Sequence, residues 1–202
     1  WVEIDEQLEV IKEVDSLIDP EIPIPAHISG VTNITDEDVH EAPTIEEFFK
    51  FECSECLKQP TILVAHNASF DLKFFKRHTD QITDTVCTVR LARKYFPDLD
   101  NHKLATLKYH FDLGKSGGHR ALYDVLITLD FLKIVMKEAG MTLSELIAES
   151  KKPIQITHMP FGKYKGAALA AVPMSYTNWL SKQDSEKDPD LVAAFLKIGR
   201  RI

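Results

Sequence analysis

Apolar and polar residues alternate along Trp1-Val2-Glu3-Ile4-Asp5 with the period of a half-exposed strand, and residues 11–18 continue as its hairpin partner until Pro20, Pro23 and Pro25 end it. Thr35, with Asp38 three residues on, is a capping pattern for a short helix. Thr44 similarly starts a helix over 45–57, in which Glu46 and Glu47 complement the positive first turn. The pattern then changes. Ile62-Leu63-Val64-Ala65 is a continuous apolar run that reads as a buried strand and breaks off in His66-Asn67. A helix carrying Phe70, Asp71, Phe74 and Phe75 follows at once. A longer, mostly apolar helix covers 121–136 and ends near Gly140, after which Thr142 and Glu145 form another capping pair. Lys151-Lys152-Pro153 marks a boundary. Beyond it, 154–158 reads as a strand, Phe161-Gly162-Lys163-Tyr164-Lys165-Gly166 as a glycine-bracketed turn, and 175–182 and 189–198 as helices.

A chain of 202 residues with 44% hydrophobic content can bury one good core plus a small appendage. The expected division is a main domain over 1–150 and a small module over 151–202. No apolar run approaches membrane-spanning length and no secretion signal is visible. Three Cys, an odd number, suggest no disulfide framework and fit a reducing, cytoplasmic location. Cys53-x-x-Cys56 has the spacing of half a zinc site, but no second close Cys pair completes four ligands, so both read as thiols near a helix end. The net charge of -7 argues against a broadly basic nucleic-acid binder.

Two stretches concentrate the polar residues that a core would not keep without reason. In Gly117-Gly118-His119-Arg120-Ala121-Leu122-Tyr123-Asp124 a glycine pair leads into the long helix, on which Asp124 interrupts an apolar sequence. A carboxylate there is costly to bury without a charged partner or a metal. In His66-Asn67-Ala68-Ser69-Phe70-Asp71 the polar residues follow the carboxyl end of a buried strand, where open α/β sheets place their ligands. Asp71, one turn into the next helix, can face the same crevice as Asp124.

Together, His66-Asn67-x-x-Phe70-Asp71 and His119-x-x-x-x-Asp124 resemble the second and third motifs of the DEDDh 3′→5′ exonucleases. Residues 88–97 and Asn101-His102-Lys103-Leu104 are similar to that superfamily's link between the two motifs, and 26–39 to its loop after the third strand. The tail, with Phe161-Gly162-Lys163-Tyr164-Lys165-Gly166, Tyr176 and Trp179, is similar to that of the exodeoxyribonuclease X branch. The resemblance implies an RNase H-like α/β fold, a mixed central sheet flanked by helices, plus a small α+β C-terminal module. It also implies a metal-dependent hydrolysis of DNA from the 3′ end to nucleoside 5′-monophosphates, on a single-stranded or frayed terminus.

By the same resemblance Asp71 and Asp124 bind two Mg²⁺ or Mn²⁺ ions, and His119 is the general base. Hard oxygen ligands suit such cations, which let an acidic chain hold phosphate, and an imidazole titrating near 6.5 accepts a proton at neutral pH. His66, Asn67, Phe70 and Arg120 are the substrate-side candidates. Read as residues alone, His66 and Asn67 support the site and cap the helix, Phe70 is core, and Arg120 meets phosphate or solvent. Tyr164 and Trp179 form the tail's small core or, flanked by Lys163 and Lys165, contact DNA.

The superfamily's first motif, Asp-x-Glu on the first strand, has no counterpart in these residues, which suggests that the chain is a fragment starting within the second strand. Glu3-x-Asp5 has the spacing but aligns with the hairpin's exposed turn. Two alternatives stay open: an RNA-trimming enzyme of the same superfamily, and a catalytically inactive nucleic-acid-binding module.

Overall fold

The computed structural model describes residues 1–55, 57–114, 121–183 and 188–202. Strands β1 (Val2–Ile4) and β2 (Val10–Glu13) form an antiparallel hairpin, with Glu3 opposite Lys12. Helices α1 (Ala26–Thr32), α2 (Asp36–Val39) and α3 (Ile45–Phe51) follow. Strand β3 (Thr61–Ala65), helix α4 (Ala68–Phe75) and strand β4 (Ile82–Cys87) make a βαβ unit whose strands run parallel, Val64 opposite Val86. Then come α5 (Thr88–Tyr95), α6 (Leu104–His110), α7 (Ala121–Ala139) and α8 (Leu143–Ser150). A 3-10 turn (Leu169–Ala171) and helices α9 (Met174–Ser181) and α10 (Pro189–Lys197) complete the tail. The α/β class is the expected one. Its strands, among the described residues, form two separate pairs in place of one central sheet.

The capping signals were reliable because each satisfies backbone donors locally. At α3 the Glu47 carboxylate accepts from the Thr44 amide at 2.9 Å while the Thr44 hydroxyl accepts from the Glu47 amide at 3.3 Å. Thr142 and Glu145 repeat the arrangement at α8, and Thr35 with Asp38 at α2. Other expectations need correction. Residues 26–32, expected as loop, are helical: the Pro25 carbonyl accepts from Ile28 and Ser29, and Asn33 ends the helix in the left-handed region at φ 55°. Helix α3 stops at Phe51, six residues short, where the Lys12 ammonium takes the Glu52 carbonyl at 3.2 Å. Strand β2 ends at Glu13, and β3 is only half-buried, with Ile62 exposed. The stretch 154–158 is an extended segment joined to Ala168 by one bridge at His158.

Two apolar clusters hold the chain together. The larger gathers Val86 of β4, Leu91 and Ala92 of α5, Leu107 of α6, Leu146 of α8 and one face of α7, where Ile127, Phe131, Leu132 and Val135 fall at helical spacing. Phe131 is fully buried against Phe96 and Phe111, with ring centroids 5.9 and 5.7 Å away. The smaller joins Met159, Leu169 and Val172 to Leu191, Ala194 and Phe195 of α10.

Between the clusters stands a chain of charges. Asp190, 2% exposed, accepts from Arg90 Nε at 2.6 Å and Nη2 at 2.9 Å, and from the Ile154 amide at 3.1 Å. Arg90 also donates to the Ser150 and Lys152 carbonyls. Beside it Arg93 pairs with Asp188, the cap of α10. The bond to Asp190 raises the Arg90 pKa further.

Candidate active site

Strand β3 delivers His66 at its carboxyl end, and the structure clamps that side chain from two directions. The imidazole Nε2 lies 2.9 Å from the His102 carbonyl and Nδ1 lies 3.0 Å from the Thr88 hydroxyl. A carbonyl only accepts, so Nε2 carries a proton, while the Thr88 hydroxyl lies between Nδ1 and the Ala65 carbonyl, 3.4 Å away. His102 in turn donates from Nε2 to the Phe96 carbonyl at 3.0 Å. The end of β3, the start of α5 and the link before α6 are thereby tied together. Burial pushes the pKa of His66 down, against the hydrogen bond to His102, and pushes His102 down as well. In both rings burial disfavours the charged form.

Asn67 then turns the chain. It takes the left-handed region at φ 74°, which Asn tolerates, and its carbonyl accepts from the Phe70 amide at 2.9 Å to begin α4. Its side chain makes no cap bond, so the expected side-chain cap is absent and the backbone performs the turn. One turn on, Asp71 is half-buried, and burial raises its carboxyl above the usual carboxylate range. Phe70 is not core. At 60% exposure it packs only its edge on Phe74, centroids 5.4 Å apart, because this side of α4 faces outward.

Asp124 stands in the first turn of α7 and is exposed, so it needs no buried counter-charge. Its carboxylate is near enough to act on His66, favouring the protonated ring. The structure thus joins His66 to Thr88 and His102. His119 and Arg120 lie outside the described residues, as does Cys56.

Among the described residues no group of three or more His, Cys, Asp or Glu converges to hold a metal ion. Asp71 and Asp124 are hard oxygen donors of the kind Mg²⁺ and Mn²⁺ take, so their donor chemistry fits a divalent cation. Asp5 is occupied elsewhere. Its carboxylate accepts from the Gln7 and Glu9 amides at 2.9 Å each, closing the hairpin turn.

Thr88 and His102 escaped sequence reasoning as individual residues. Their signal was present in the likeness of 88–97 and Asn101-His102-Lys103-Leu104 to the superfamily's link, but periodicity says nothing about which polar side chain braces which.

Residues 1–132 match the family described as "Exonuclease". The chain belongs to that exonuclease family. It is a DnaQ-like, DEDDh-type member, as its motifs indicated. Among its relatives, Exodeoxyribonuclease 10 of Escherichia coli K12 is 29% identical over 190 residues, which cover 90% of this chain and 82% of that protein. DNA polymerase III PolC-type of Bacillus cereus is 37% identical over 136 residues, 64% of this chain but only 9% of the polymerase's length. A solved structure of Exonuclease X in complex with 5′ overhanging duplex DNA superimposes with a TM-score of 0.58 at 26% identity, covering 74% of this chain and 87% of the other. Residues 149–188 match a second family, described as "Putative quorum-sensing-regulated virulence factor". No described helix of this exonuclease-family chain is long and apolar enough to cross a membrane.

Proposed function

We propose that the chain works as a 3′→5′ exodeoxyribonuclease, releasing nucleoside 5′-monophosphates from a single-stranded or frayed 3′ end in a reducing cytoplasm. The observation that carries this reading is the likeness to an exonuclease solved on DNA, which spans 74% of the chain and not the family motifs alone. In this reading 1–150 is the exonuclease domain and 151–202 an appended module.

Asp71 and Asp124 would hold two Mg²⁺ or Mn²⁺ ions, with any further ligand coming from outside the described residues. When bound, such a pair neutralises charge on the phosphate and lowers the pKa of water. His119 accepts the proton of the attacking water, and Arg120 meets the phosphate. His66 has a different task. Held by Thr88 and His102, it fixes the turn through Asn67 and so the direction in which α4 presents Asp71. Phe70, exposed beside Asp71, offers a face on which a terminal base can stack whatever its identity.

The test is digestion of 5′-labelled single-stranded DNA with Mg²⁺ or Mn²⁺, beside RNA of the same sequence and an Asp124→Ala control. Expected is a ladder shortening from the 3′ end, faster on DNA and lost in the control. Internal cuts, an unaffected control or faster RNA trimming would each overturn the corresponding part of the reading.

A further inference from the structure

The chain's charge is divided unevenly. Residues 151–202 hold nine Lys and Arg against four Asp and Glu, a formal +5 within a chain of net -7, which leaves -12 for 1–150. Two of those four acids, Asp188 and Asp190, are turned inward onto Arg93 and Arg90, so they do not offset the basic surface. Of the cations, Lys151 and Lys152 pair with Asp84 and Glu149 and Lys165 donates to the Asp100 carbonyl, while Lys163 and Lys182 stand exposed on the module.

The same face carries aromatic rings that the small core does not absorb. Tyr164 meets Tyr176 edge-on at 4.8 Å, and Tyr176 stacks on Trp179 at 5.3 Å and 25°. Only the inner members are covered. Trp179, expected in the tail's core, is 52% exposed, and Phe161 and Met174 are exposed as well. The rings are held rigidly: Gly162 takes φ 76°, and a Cβ there would lie 2.5 Å from the Tyr176 hydroxyl, so the turn presses directly on Tyr176. Lys163 sits over the Tyr164 ring at 5.6 Å, and Lys182 follows Trp179 by three residues at the end of α9, on the same side.

A half-exposed indole stacked on Tyr176, with Lys182 three residues on and Lys163 over the Tyr164 ring at the other end of the series, matches the chemistry of single-stranded nucleic acid, whose bases offer π-faces and whose backbone offers phosphates. We propose that the C-terminal module is a second DNA-binding site, at which a base of the single-stranded substrate stacks on Trp179 while Lys163 and Lys182 hold its phosphates. The choice of DNA rests on the exonuclease reading above; the platform itself does not. A strand held there is kept near the exonuclease body between successive cleavages.

The experiment measures binding of the full chain to a labelled single-stranded oligothymidylate without divalent metal, so that binding is read apart from cleavage. Trp179→Ala is expected to weaken binding about tenfold, the scale of one lost base stack, and Trp179→Phe to keep most of it. Lys163→Gln with Lys182→Gln should lower the slope of log K against log salt by about 1.4, roughly 0.7 per phosphate contact. In a Trp1→Phe background, where Trp179 is the remaining indole, the oligonucleotide should quench fluorescence. Wild-type affinity and salt slope in both the alanine and the lysine variants would overturn the proposal, as would an unquenched indole. Should Trp179→Ala unfold the module, the surface lysine pair decides alone. Tighter binding of oligouridylate with the same Trp179 dependence would overturn DNA as the occupant. A chain that binds through Trp179 yet cleaves nothing with Mg²⁺ refutes the exonuclease reading and leaves the platform standing; one that cleaves with binding indifferent to both variants does the reverse.

Discussion

Replacing Arg90 by Ala should loosen the tail from the body more than any other single surface-adjacent change. The substitution strips Asp190, 2% exposed, of two charge-assisted bonds at 2.6 and 2.9 Å and leaves it the Ile154 amide alone. It also removes the donors of the Ser150 and Lys152 carbonyls. An uncompensated buried charge of this kind costs about 3–5 kcal/mol, a large part of the roughly 5–15 kcal/mol by which a domain is stable. With an m-value of about 2 kcal/mol/M in urea, the unfolding midpoint should fall by about 2 M. The assay, in a Trp1→Phe background, follows urea unfolding by Trp179 fluorescence for the tail and by circular dichroism for the helices. Asp190→Ala should cost less, because the guanidinium keeps two carbonyl acceptors and is partly exposed. Arg90→Met with Asp190→Leu should recover much of the loss, since an apolar pair of similar volume needs no solvation. The Arg90 pKa is raised, so its contribution is complete below arginine's ordinary pKa and lost only as pH rises beyond it. The loss in Arg90→Ala should therefore be the same on either side of neutrality. A loss below about 1 kcal/mol, the scale of an exposed pair, would refute the claim that this pair is buried and structural.

Phe131→Ala empties a fully buried site between Phe96 and Phe111 and should cost about 3–5 kcal/mol by thermal or urea unfolding; a loss under about 1 kcal/mol would mean that the α7 face is not the centre of the core. His66 and His102 both have pKa values lowered by burial, so the unfolded chain takes up protons near 6.5 while the folded one resists. Their contribution is complete above that pH and lost as pH falls toward the folded values. His66→Gln should thus flatten the decline in urea midpoint between about pH 7.5 and 5.5 relative to wild type; parallel declines would refute the claim that burial disfavours the charged ring.

Sequence logic succeeded where each signal is satisfied within a few residues. Thr44 with Glu47 and Thr142 with Glu145 close their own backbone bonds, and α7 shows its buried face at helical spacing. Failures fall where distant residues decide. The end of α3 meets Lys12, 40 residues away, whereas 26–32 is a local exception, helical between its Pro25 and Asn33 ends despite burying no side chain. Phe70 looked like core because it is apolar, but its side of α4 faces outward and leaves it 60% exposed.

The candidate site divides in the same way. Its titratable residues, Asp71, His119 and Asp124, are legible because their spacing is a matter of one segment each, and so are the strand end at Ala65 and the turn after it. What holds His66, by contrast, comes from Thr88 and His102, 22 and 36 residues away, and only folding can choose those partners. The same holds for Arg90 and Asp190, 100 residues apart, each an ordinary charged residue in sequence. Local order is written in spacing because neighbouring residues meet whatever the rest of the chain does. A long-range pair is fixed only when closure of the fold brings both members out of water together.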